Sequence, residues 1–146
     1  MEFNFDLKRV ETLLKEANFA RVGFASDFNQ ARKTPVQSPC LYVIGIDDNN
    51  EETTAITGED EYRVNDIFAV MIVIPCLAAN ATTDQQIKEL RNQVKATLAG
   101  VAFLPWEPIK LNRSRIVELN RETNNLIYQC QFSVKGTLTV KTKVIT

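Results

Sequence analysis

The sequence predicts a single α+β domain over residues 1–146, a mainly antiparallel or mixed β-sheet with two α-helices packed on it. Three observations carry that prediction. Ile67 to Ile74 is an uninterrupted apolar run rich in strand-forming residues, Thr83 to Leu98 carries apolar residues at helical spacing, and Leu126 to Lys135 alternates apolar with polar. The length agrees: 146 residues is the size of one domain, and folding then buries roughly two-thirds of the extended chain's surface.

From the N-terminus, Leu7, Val10, Leu13, Leu14 and Ala17 recur at helical spacing, with Asp6 placed to cap the first turn and Asn18 to end the last. Ala20, Val22 and Phe24 alternate with Arg21 and Gly23, the pattern of a short strand. The polar stretch Ser26 to Gln37, broken by Pro35, reads as a loop with a helical turn. After Pro39, Cys40 to Ile46 is β-branched and aromatic, as a strand should be, and Asp47-Asp48-Asn49-Asn50 is expected to stop it with turn-forming side chains. The polar segment from there to Glu61 is either a long loop or an exposed hairpin, and a connection of that length is more often functional than decorative.

Ile67 to Ile74 is apolar on both faces, which implies a central strand covered by helices on one side and by other chain on the second. Pro75 closes it, having no N–H for the ladder. Thr83 and Gln86 stand at capping-box spacing ahead of Ile87, Leu90, Val94 and Leu98 on one helical face, and Gly100 offers a left-handed stop. Pro105-Trp106-Glu107-Pro108 forms a corner whose tryptophan plugs the end of a core or anchors a subunit contact. In the alternating strand, Leu126, Tyr128, Cys130, Phe132 and Val134 face the core, while Ile127, Gln129, Gln131, Ser133 and Lys135 form a wet face. Leu138 and Val140 indicate a last strand or strand-like tail after Gly136, and no repeat, low-complexity tract or linker interrupts the chain.

Composition narrows the function. With no histidine, the chain lacks the commonest general base, the usual zinc ligand and the hydrolase triads. Cys40, Cys76 and Cys130 are odd in number and far apart, so they read as small buried thiols; a metal site, with no Cys-x-x-Cys pair and no histidine, would need a carboxylate to complete three thiolates, and the spacing gives no hint of one. Glu16, Glu89 and Glu118 have no second titratable group tied to them by spacing, so no acid–base pair emerges. We therefore expect no catalytic residues, no cofactor and no metal. A formal net charge of -1 argues against an affinity built on neutralising phosphates. The longest apolar run is less than half the ~20 residues a membrane helix needs, and Met1 to Asp6 is not a leader, so a cytosolic protein is expected.

Two charged stretches are the candidate sites. Asp47, Asp48, Glu51, Glu52, Glu59, Asp60 and Glu61 occur with no lysine or arginine among them, and their spacing does not match a calcium loop. Lys110, Arg113, Arg115 and Arg121 lie in the expected connection between the Trp106 corner and the alternating strand, without the interleaved aromatics of a single-strand nucleic-acid groove. Each stretch alone reads equally well as a solvated face. Together they are what a head-to-tail ring requires, because a heterologous interface joins two different surfaces of identical subunits.

The order of elements resembles the tail terminator (tail completion) proteins of long-tailed bacteriophages and prophages. The matching features are Ser38-Pro39-Cys40-Leu41-Tyr42-Val43, Tyr62-Arg63-Val64-Asn65-Asp66-Ile67-Phe68-Ala69-Val70, Leu90-Arg91-Asn92-Gln93-Val94, Leu98-Ala99-Gly100 and the Trp106-Glu107-Pro108 corner. Pro105 stands where the family commonly has glycine, and Tyr128 where tryptophan is frequent. The resemblance implies a homohexameric ring that caps the end of the major tail tube protein, stops its polymerisation and offers a surface to the head–tail connector protein. It implies assembly in the host bacterial cytoplasm, residence in the virion tail, no membrane, and DNA passing through the ring without tight binding. Another neck or minor tail component is a second reading, and a small-ligand or peptide-binding module with a pocket between sheet and helices is a third.

Overall fold

The computed structural model describes residues 1–53, 59–76 and 81–146. Along the chain come α1 (Leu7–Glu16), β1 (Val22–Phe24), α2 (Ala25–Ala31), β2 (Cys40–Thr53), β3 (Asp60–Pro75), α3 (Ala81–Leu98), β4 (Lys110–Asn120) and β5 (Asn125–Val140). The strands form one five-stranded sheet in the order β1-β2-β3-β5-β4. Only β1 runs parallel to its neighbour, so the sheet is mixed and mainly antiparallel, as expected.

Strand β3 is the centre. Its even-numbered residues Phe68, Val70, Ile72 and Ile74 point into a core shared with Val10 and Leu14 of α1, Ile87, Val94 and Leu98 of α3, and Leu126, Tyr128, Cys130, Phe132 and Val134 of β5. Its odd-numbered residues Ala69, Met71 and Val73 meet Ala31, Cys40, Tyr42 and Ile127, with Phe28, Val36 and Ile44 packed around them. The run is apolar on both faces because both are covered, and each side chain as large as Phe68 contributes about 1.5–3 kcal/mol by leaving water. Phe68 stacks on Phe132 at 5.4 Å and on Phe5 at 6.0 Å, and Trp106 meets the edge of Phe5 at 5.6 Å. Trp106 is buried and does plug the core. Gly136 lies beneath it: a Cβ there would come within 3.0 Å of the indole and 2.9 Å of the Met1 sulfur.

Local chemistry explains the boundaries. The Asp6 carboxylate accepts from the Lys8 amide at 3.0 Å and opens α1, and Asn18, at φ 70°, leaves it. Gly100 takes the left-handed φ of 83° just past α3. That helix starts at Ala81, two residues before the capping position expected at Thr83.

Three expectations are corrected. Among the described residues there are three helices, not two: α2 forms where a loop with a helical turn was expected, its first turn held by Asp27 accepting from the Phe24 amide at 3.0 Å. Seven residues are too short for a helical period to show, and only Phe28 and Ala31 turn toward the sheet. Asp47 to Asn50 do not stop β2, which continues in ladder with β3 to Thr53↔Glu61; backbone pairing overrides side-chain turn preference. The exposed hairpin is thus the option realised, with 54–58 outside the described residues. In β5, the second face is dry at its first end, where Ile127 and Gln129 are buried, and β5 runs through Gly136 to Val140 as one strand.

Asn125 fastens the cover of the second face. Buried completely, its Oδ1 accepts from the Val36 amide at 3.1 Å while Nδ2 donates to the carbonyls of Ala31 at 3.2 Å and Thr34 at 2.9 Å. Replacing Asn125 with Ala strands these groups, so the variant is expected to lose about 1–3 kcal/mol in urea unfolding. The Val36 amide should also lose its hydrogen-exchange protection.

Candidate assembly surfaces

The helical layer covers only part of the sheet. The upper halves of β2, β3 and β5 project beyond it, and Ile46 to Glu52 are all exposed. Four of the seven acids stand on this part of β2, alternating between its faces: Asp47 and Glu51 on one, Asp48 and Glu52 on the other. Asp60 and Glu61 open β3, and Glu59 lies immediately before it. Glu61 accepts from the Thr53 hydroxyl at 2.7 Å, and Asp48 accepts from the Asn4 amide nitrogen at 2.9 Å.

The basic group is placed differently from the expectation. Lys110, Arg113 and Arg115 belong to a strand, β4, with Arg121 in the turn that follows; they do not lie in an irregular connection. Arginines and asparagines masked its alternation, and so did two register shifts, at Leu111/Ser114 and Ile116/Glu118. This strand forms one edge of the sheet. Opposite the core-facing residues of β5, but beyond the reach of the helices, it presents Leu111, Ile116 and Leu119 at 55%, 60% and 57% exposure. That apolar row was missed in the sequence because the strand itself was missed.

The acids of β2 therefore stand three inter-strand spacings from the bases of β4, about 14 Å laterally. Asp60 and Glu61, on the central strand β3, are two spacings from it, and β4 pairs with the opposite end of β5 from the one level with these acids. Glu51 and Lys110 both line a cleft of about 320 Å³, together with Arg63, Asn65, Glu107 and Lys135. Among the described residues the ion pairs are Lys15–Glu11 at 3.4 Å and Arg32–Glu118 at 3.5 Å, so none of these seven acids and four bases is in one, though Glu51 stands across the ladder from Arg63.

At the root of the projecting part, Asp66 pairs in register with Asp48 and is buried. Its carboxylate accepts from the Phe5 amide at 2.8 Å and so pins the N-terminal segment over the sheet. Burial pushes its pKa above the ordinary 3.8, the Asp48 charge adds to this, and the bonds from Phe5 and Asn4 oppose it. Burial also raises Cys130, and it carries Tyr42 up to about 12 with help from the hydrogen bond and charge of Cys40. Cys40 and Cys130 are buried and Cys76 half-buried, all three as free thiols. Among the described residues no three acids or cysteines are gathered to hold a metal, and no helix is long and apolar enough to cross a membrane. Between the sheet and the helices, Val10, Leu14, Phe68, Ile72, Val94 and Leu98 are fully buried.

A buried core thus lies beneath two largely exposed charged groups. The chain belongs to the phage tail terminator family, whose pattern it matches over residues 1–142. It is a structural protein of the phage tail. Among solved structures it is similar to a chain of the virion of a native gene transfer agent particle, with 14% identity, a TM-score of 0.48, and coverage of 87% of this chain and 86% of that one. No curated protein matches it significantly in sequence.

Because the folded-state pKa of Asp66 is raised, the folded protein holds that proton more tightly than the unfolded chain. Its contribution to stability is present below pH 3.8 and is lost as pH rises through the elevated value. Asp66→Asn keeps an acceptor for Phe5 and should flatten this pH dependence in urea unfolding. Asp66→Ala leaves the Phe5 amide unpaired and should cost about 1–3 kcal/mol at neutral pH.

Proposed function

We propose that this protein forms a homohexameric ring on the last ring of the major tail tube protein, stops tube polymerisation and presents its other face to the head–tail connector protein. The supporting observation is the separation of the acids, on β2 and β3, from the bases, on and just after the edge strand β4, in a member of the tail terminator family. Surfaces that differ on the two sides of a subunit join head to tail, and such contacts close into a ring when the rotation permits. Asp47, Asp48, Glu51, Glu52, Glu59, Asp60 and Glu61 form the acidic surface, and Lys110, Arg113, Arg115 and Arg121 the basic one.

The protein acts by shape and association, with no cofactor and no turnover. An acidic overall balance lets DNA pass through the ring without being held. Assembly takes place in the host cytoplasm, and the ring stays in the virion tail.

Reversing Arg113 and Arg115 to Glu sets like charges against the neighbouring acids and should weaken ring assembly about tenfold or more, near 1.4 kcal/mol per factor of ten. Reversing Glu59 and Glu61 in the same chain should partly restore it. Sedimentation velocity measures both, and unchanged assembly in the first variant would rule the pairing out. Phage lacking this protein should carry tails of abnormal length that are not joined to heads; micrographs of normal particles would end the terminator reading.

A further inference from the structure

The outer side of β2 is open. Strand β1 accompanies it only from Leu41 to Val43, so among the described residues nothing pairs beside Ile44–Thr53. An uncovered strand edge is a template for another strand, and proteins commonly blunt one with bulges or lysines. Here the single bulge, at Gly45/Asp47, lies low on the edge, and the side chains above it are acids and asparagines.

The same chain carries a segment that matches this edge. Residues 141–146, Lys-Thr-Lys-Val-Ile-Thr, leave the sheet at Val140 and are fully exposed, with Val144 at 81% and Ile145 at 96%. Their composition is that of a strand, with four β-branched residues in six, yet none of them is paired. Lys141 and Lys143 share a face at a spacing of two, and the segment has no acid.

We propose that residues 141–146 of one copy add as an antiparallel strand to the open edge of β2 in a second copy. In that direction the lysine half lies along Asp47–Glu52, and Val144 and Ile145 approach Ile46, which is 44% exposed. Main-chain hydrogen bonds supply affinity, and the charge pattern selects the direction and the partner. The protomer's own Lys141 and Lys143 cannot lie along its own β2 edge. From β5 the tail would cross three inter-strand spacings, about 14 Å or roughly four extended residues, so Lys141 to Val144 would be spent before the edge. The inference depends on the assembly reading only in taking the partner to be a second copy.

The test is a nuclear magnetic resonance titration of the full-length Lys141→Glu, Lys143→Glu chain, whose own tail is charge-reversed, with a synthetic peptide of residues 137–146. Saturable amide shifts concentrated in Ile44–Thr53 are expected. Adding Asp47→Lys and Glu51→Lys to the protein should weaken peptide binding at least tenfold, with circular dichroism confirming that these exposed changes leave the fold intact. No saturable binding, shifts centred on β4 or elsewhere, or an affinity indifferent to the β2 reversal would overturn the proposal. The titration does not need a ring. Rings that form while the peptide fails to map to β2 refute the docking alone, and peptide mapping without rings on tube ends refutes the ring alone.

Discussion

Strand β3 has to be covered on both faces, and the rest of the structure follows from that requirement. Seven consecutive residues, Phe68 to Ile74, are buried, so neither face of the strand at that level is left to water. One face takes α1 and α3, the other takes α2 with the segment that Asn125 holds in place. Two long neighbours, β2 and β5, satisfy its backbone on either side over nearly its whole length. Short or irregular elements are then left for the edges, β1 on one side and the twice-bulged β4 on the other.

The strand is longer than its cover. Of the sixteen residues in β3, the lower part is double-sided core and the upper part carries Glu61, Tyr62, Arg63 and Asn65 among half-exposed or exposed positions. The ladder continues past the helices because β2 and β5 continue with it, and the aromatic group of Phe5, Phe68, Phe103 and Trp106 stiffens the transition. A rigid sheet that outruns its helices carries its charges on a regular backbone, with alternate residues on fixed faces. That differs physically from acids on a loop: a partner meets a defined spacing without having to order the segment first.

Charge is arranged on this frame with little internal compensation. The two ion pairs among the described residues use Glu11, Lys15, Arg32 and Glu118; none is among the seven acids or four bases, although Glu118 lies on β4 itself. Exposed unpaired charges cost a single subunit little in water, but they set which surfaces of two subunits attract and which repel. The apolar row of Leu111, Ile116 and Leu119 beside the basic group adds surface that association can remove from water.

The sequence by itself determined the central strand, α1, α3, the alternating strand and the Trp106 plug. In each of these, burial repeats with a period that side-chain hydrophobicity records directly. It also held the family likeness and the two charge groups. Tertiary structure decided what such patterns do not encode. Backbone pairing with β3 carried β2 through four turn-forming residues, and two bulges hid β4 among arginines. A seven-residue helix formed because a sheet face needed covering, not because its own sequence favours one. Whether the acids and bases stand together or apart was likewise settled only by strand order, since residues that are distant in the chain acquire a spatial relation through the ladder that joins them.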